Sequence, residues 1–66
     1  MRKGTILICQ SDIYDKEGKK IFTKGLEYKI NYIDNEYVET MICLSNDDKH
    51  INFITLNQAT KNFKIK

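Results

Sequence analysis

The sequence predicts an all-β fold: a small, partly open barrel of five strands, with one short helical turn before the last strand. Three observations carry this reading. Two stretches, 26–32 and 37–45, alternate with the period of two that a half-buried strand needs. Five β-type segments along the chain are separated by residues that favour turns. Thr55-Leu56-Asn57-Gln58-Ala59-Thr60 has too few β formers to be a strand, and its leading Thr is a good helix cap.

The first segment, Gly4 to Gln10, is apolar on both faces and reads as a central strand. A polar excursion from Ser11 to Lys20 follows, with Lys16-Glu17-Gly18-Lys19 as its tip, where Gly18 supplies a positive φ. Ile21-Phe22-Thr23 leads into a second turn at Lys24-Gly25. In the next strand Leu26, Tyr28, Ile30 and Tyr32 share one face, and Glu27, Lys29 and Asn31 the other. Asp34-Asn35-Glu36 breaks it.

Tyr37 to Ser45 is the third predicted strand, with Val38, Thr40, Ile42 and Leu44 on one face. Ser45-Asn46-Asp47-Asp48-Lys49 is a hairpin loop with a solvated acidic tip, because Asn and Asp tolerate the left-handed region and cap their own turns. His50 to Ile54 pairs back as the fourth strand, and Phe63-Lys64-Ile65 closes as the fifth. This element order is that of the Src-homology-3-like barrel, which also limits the exposed edges of so short a chain. The expected core is Leu7, Cys9, Phe22, Leu26, Tyr28, Ile30, Val38, Ile42, Leu44, Ile51, Phe53, Leu56 and Phe63.

The bulk properties fit one small domain over residues 1–66. At 41% hydrophobic and 30% charged residues, the composition is that of a folded chain rather than a disordered one. No apolar run reaches the ~18 residues of a membrane span, and Ile6 to Cys9 is too short for a signal peptide, so a cytoplasmic location is expected. Cys9 and Cys43 each lie in an apolar run and read as buried reduced thiols, a disulfide between them being the alternative. The net charge of +2 is unevenly spread, with seven basic against four acidic residues in 1–33 and four against five in 34–66. That is a weak footprint for a dedicated nucleic-acid binder.

The run Phe22-Thr23-Lys24-Gly25-Leu26-Glu27-Tyr28-Lys29-Ile30 resembles a Phe-x-Lys-Gly-x-x-Tyr-x-Ile signature of small uncharacterised phage and prophage proteins. In those, an acidic turn comparable to Asp47-Asp48 and a terminal Phe like Phe63 follow. The resemblance implies a compact Src-homology-3-like barrel of mobile-element origin without an assigned activity. The motif also has a structural reason, since Gly25 makes the turn while Phe22 and Tyr28 pack beside it.

No catalytic constellation emerges. His50 is the only histidine; Asp47 and Asp48 are close to it in sequence but occupy a solvated loop tip, which does not meet the geometric demands of an oriented catalytic base. The Asp12-to-Gly18 stretch fails as a calcium loop, because Tyr14 occupies the third ligand position. Neither a metal nor a cofactor is expected, and the acidic residues of the excursion interleave with its lysines. The aromatics outside the expected core, Tyr14, Tyr32 and Tyr37, with Lys16, Lys19 and Lys20, form the expected binding surface. Tyr with basic neighbours suits a protein interface or base stacking, while amphipathic rings that cap the barrel ends are the plain alternative. The chain reads as a non-enzymatic module that occupies or inhibits a host protein. Nucleic-acid or nucleotide binding through the Lys/Tyr loop is the rival reading.

Overall fold

The computed structural model describes residues 1–36 and 38–66. Its elements in chain order are β1 (Ile6–Cys9), β2 (Ile13–Tyr14), β3 (Lys20–Phe22), β4 (Glu27–Asp34), β5 (Met41–Ser45), β6 (Ile51–Thr55), α1 (Leu56–Asn62) and β7 (Phe63–Ile65). The fold is all-β apart from α1. Five strands form one antiparallel sheet in the order β6-β5-β4-β1-β7, and β2 and β3 form a separate two-stranded ribbon. The excursion expected as a loop therefore contains this ribbon. Its tip is built by Asp15, whose Oδ1 accepts from the Glu17 and Lys19 N–H groups, and by Gly18 at φ 85°.

The central place of β1 follows from its apolar sequence, since β4 lies on one side of it and β7 on the other. Leu7 and Cys9 point into the core, which Tyr28 and Ile30 of β4, Ile42 and Leu44 of β5, Phe22 of the ribbon, Ala59 of α1 and Phe63 of β7 complete. Phe22, Tyr28 and Phe63 meet edge-to-face, with centroids 4.9, 5.4 and 6.1 Å apart. This is the favoured geometry for aromatic clusters. The Lys24-Gly25 turn is held by Asp12, whose Oδ1 accepts from the Lys24 N–H, and by the Gly25 N–H donating to the Cys9 carbonyl.

Several expectations are corrected. The strand expected over 37–45 begins only at Met41. Asp34 caps a turn by accepting from the Glu36 N–H, and the Thr40 hydroxyl donates to Asn35, so the chain is still turning here; Val38 is fully exposed. Tyr37 of that expected strand lies outside the described residues. The helical element is longer than one turn, at seven residues, because Thr55 and Gln58 form a reciprocal capping box. Leu26, Val38, Ile51, Phe53 and Leu56, expected in the core, are exposed.

The reason for the Ile51 and Phe53 errors is parity. Register pairs Ile42 with Ile54 and Cys43 with Phe53. Ile42 and Ile54 therefore share the core face, and a period of two sends Ile51 and Phe53 to the other. Tyr32 changes face for a different reason. The β4–β5 register slips between Ile30 and Tyr32, so Ile30 pairs with Leu44 but Tyr32 with Cys43 and Ile33 with Ile42. This bulge turns Ile33 inward and Tyr32 outward.

The acidic hairpin tip is also more engaged than expected. The Asp47 carboxylate accepts from the Thr23 and Tyr28 hydroxyls, and its N–H donates to the Ile21 carbonyl. Asn46, only 7% exposed, organises the turn from within. Its Oδ1 accepts from the Asp48 and His50 N–H groups, and its Nδ2 donates to Asn52. Lys49 takes the left-handed conformation at φ 68°. No helix among the described residues is long and apolar enough to cross a membrane.

Candidate functional site

The surface with the most unusual chemistry is the face of β4, β5 and β6 turned away from the core. Tyr32, Cys43 and Phe53 are opposite one another in adjacent strands and so form one row across this face. Cys43 is fully buried although it does not belong to the core cluster. Strands two apart are separated by roughly 9.5 Å, yet the Tyr32 and Phe53 ring centroids are 5.9 Å apart in an edge-to-face contact. The two rings therefore lean together over the Cys43 thiol.

About half of each ring remains exposed. Ile51, exposed by a similar amount, lies on the same face, and so does the half-buried Met41, opposite Thr55. Val38, Glu39, Met41, Phe53 and Thr55 line a shallow depression of about 550 Å³ beside the row. A contiguous exposed apolar surface on a small monomer is a mark of an interaction site. Its border at the Met41 end is acidic: Glu39 lines the depression, Asp34 pairs with Met41, and Glu36 lies in the adjoining loop.

Of the residues singled out from sequence, Tyr14, Lys16, Lys19 and Lys20 share the β2–β3 ribbon and its turn, with Tyr14 opposite Lys20, whereas Tyr32 belongs to the other sheet. Tyr14 is exposed on β2 of the ribbon, and Lys16 is exposed at the ribbon's turn. Tyr32 belongs to the five-stranded sheet and to the row just described. Tyr37 falls outside the described residues.

Two of the three lysines have acidic partners, Lys20 within the excursion and Lys19 across from it in the β5–β6 hairpin. Lys19 Nζ lies 2.5 Å from Asp48, and Lys20 Nζ lies 3.5 Å from Asp12. The Asp48 hydrogen bond and charge raise the Lys19 ammonium above its ordinary pKa, and Lys19 in turn lowers the Asp48 carboxyl. The Asp12 carboxyl is lowered first by the Lys24 N–H and further by Lys20. Pairs this exposed steer and orient more than they stabilise. They also leave the ribbon with little uncompensated positive charge. Cys9 and Cys43 are both free thiols, and burial pushes Cys9 above its usual pKa.

Phe53, Ile51 and Val38 were expected in the core and not on the surface. A signal was present in the unbroken run Met41-Ile42-Cys43-Leu44. A strand apolar on both faces has either two packed faces or one packed face and one face that is offered to a partner. Compared with protein-family models, with curated proteins and with solved structures, the chain matches none.

Proposed function

We propose that this chain is a non-enzymatic binding module of phage or mobile-element origin, a Src-homology-3-like barrel that acts in the host cytoplasm by occupying a host protein. The observation that carries the binding role is the exposed Tyr32–Phe53 row over the buried Cys43, continuous with Met41 and Ile51. Aromatic and Met side chains on an exposed sheet face have the composition of an interface centre, and acidic residues at one margin contribute a polar rim. A partner with an apolar anchor and basic flanks complements that arrangement.

The barrel reading draws support from the strand order. The last strand returns to pair with the first, the excursion follows β1, and the helix precedes β7. The mobile-element origin rests on the Phe22–Ile30 signature. The nucleic-acid alternative is weakened by the pairing of Lys19 and Lys20 with Asp48 and Asp12.

The test is capture from bacterial lysate by the immobilised chain, in parallel with a Tyr32→Ala/Phe53→Ala variant and a Lys16→Ala/Lys19→Ala/Lys20→Ala variant. A protein retained by the parent and the lysine variant, and lost by the aromatic variant, supports the reading. Capture of nucleic acid that falls steeply with salt and is lost in the lysine variant overturns it.

A further inference from the structure

The sheet has two edges, β6 and β7, and they are built differently. β7 is three residues long, carries Lys64, is followed by Lys66, and spends its Phe63 N–H on the Ala59 carbonyl. Lysines and brevity are the usual protection of an edge strand. β6, Ile51-Asn52-Phe53-Ile54-Thr55, has no charge, proline or bulge.

The ladder tells which backbone groups of β6 face outward. Asn46 N–H donates to the His50 carbonyl and Leu56 N–H to the Thr40 carbonyl, both in register with the β5–β6 pairing. Hydrogen-bonded pairs alternate along an antiparallel ladder, so residues 50, 52, 54 and 56 turn their backbone groups toward β5. Ile51, Phe53 and Thr55 turn theirs to the open edge. Thr55 N–H is taken by Gln58 in the capping box. Among the described residues, no backbone hydrogen bond engages Ile51 or Phe53 on that side.

We infer that β6 pairs with β6 of a second copy of this chain, antiparallel about a twofold axis at Asn52. In this register Ile51 of each copy exchanges both of its backbone hydrogen bonds with Phe53 of the other. All four open groups on each strand are then satisfied, and none of the groups already in use is needed. The side chains agree with the backbone. Ile51 and Phe53 lie on the outer face, so each Ile51 stands beside the other copy's Phe53, a favourable apolar–aromatic cross-strand pair. His50 falls opposite Ile54 and Lys49 opposite Thr55, so no like charges meet directly. The neighbouring register, with the axis at Phe53, would instead direct the Ile51 N–H to the Thr55 carbonyl that already serves α1.

The seam involves only a few residues per copy, well short of the roughly 800 Å² per partner of a standard stable interface. The dimer is therefore weak and concentration-dependent. It joins the two Tyr32–Phe53 rows into one continuous face, and it stands independently of what that face binds.

Sedimentation equilibrium from about 10 μM to about 1 mM tests the inference, this being the range of a weak association. The parent shows a reversible monomer–dimer transition. Ile51→Lys/Phe53→Lys places like charges directly opposite one another twice, raising the dissociation constant about tenfold or more. Ile51→Lys/Phe53→Glu places opposite charges together in this register alone and keeps the dimer within a few-fold of the parent. Circular dichroism confirms that each variant folds. As a readout on the unmodified chain, amide exchange at Ile51 and Phe53 slows with concentration, while Asn52 and Ile54 are protected throughout. A monomer at 1 mM, a dimer indifferent to the paired lysines, or exchange at Ile51 and Phe53 that ignores concentration each overturns the inference. A monomer whose Ile51 and Phe53 amides are protected only by a captured partner would show that another protein's strand takes the edge instead.

Discussion

The Tyr28 hydroxyl donates to Asp47 at 2.5 Å, across nineteen residues of sequence. The same oxygen accepts from the Thr23 N–H at 2.8 Å, and Asp47 also accepts from the Thr23 hydroxyl. One buried phenol thus reinforces the direct bonds of Thr23 and Ile21 to Asp47 in tying the turn after β3 to the tip of the β5–β6 hairpin. Burial, reinforced by the Asp47 carboxylate, pushes the Tyr28 pKa up to about 12.

Because the folded pKa of Tyr28 lies above the unfolded value of about 10, the unfolded chain gives up this proton first. The stability it contributes is complete below pH 10 and is lost as pH rises toward about 12. Tyr28→Phe removes a hydrogen bond to a charged group and leaves the Thr23 N–H without its partner, at a cost of about 1.5–3 kcal/mol near neutral pH. Urea denaturation of both proteins between pH 7 and 12 checks this. The gap between them should be constant up to pH 10 and then close.

Asn46→Ala should lower stability by about 1–3 kcal/mol, because the Asp48 and His50 N–H groups lose their acceptor and Asn52 loses its donor. Asp48→Ala at the exposed, solvent-screened Lys19 pair should cost measurably less than Asn46→Ala. Equal losses in thermal or urea melts would show that the hairpin is not organised by its buried amide.

Phe22 and Phe53 separate core from surface. Phe22→Ala empties a site that is 1% exposed and should cost about 3–5 kcal/mol. Phe53→Ala should cost less than half as much, since its ring already faces solvent on one side. Comparable losses from the two would place Phe53 in the core and reverse the β6 register.

Much of the fold was legible in the sequence, and the errors have a common origin. The turns at Gly18 and Gly25, the capped helix after Thr55, and core positions such as Leu7, Phe22, Ile42 and Phe63 followed from local chemistry. The face that Tyr32 takes did not, because a bulge is a property of the strand pair and leaves little trace in one strand, although Tyr32 was read as lying outside the core. Phe53 did not, because Ile51-Asn52-Phe53-Ile54-Thr55 has apolar residues at both parities, and only its pairing with β5 decides which set faces inward. Part of the candidate surface was displaced for the same reason: Val38, Ile51 and Phe53 are residues that one-strand reasoning assigns to the core, whereas Tyr32 was already read as part of a binding surface. The lysines were placed correctly in the excursion, but their acidic partners had to be read from three dimensions.

Cys43 reports on the closure of the row. Both cysteines should react slowly with a thiol reagent in the folded protein. In Phe53→Ala the Cys43 thiol loses one of the two rings above it, so its labelling should rise at least about tenfold, whereas Cys9, buried in the core, should be unchanged. Mass spectrometry of the labelled peptides distinguishes the two sites. Equal reactivity of Cys43 in parent and variant would mean that the rings do not cover it.

The claim that the outer face of β4, β5 and β6 is the working surface is tested most directly by amide NMR. The labelled chain is titrated with the protein it captures from lysate, at a concentration below that at which copies pair. The structure predicts the largest shift changes at Tyr32, Met41, Cys43 and Phe53, with residues 14–20 nearly still. Changes confined to Tyr14, Lys16, Lys19 and Lys20, with the row undisturbed, would contradict it.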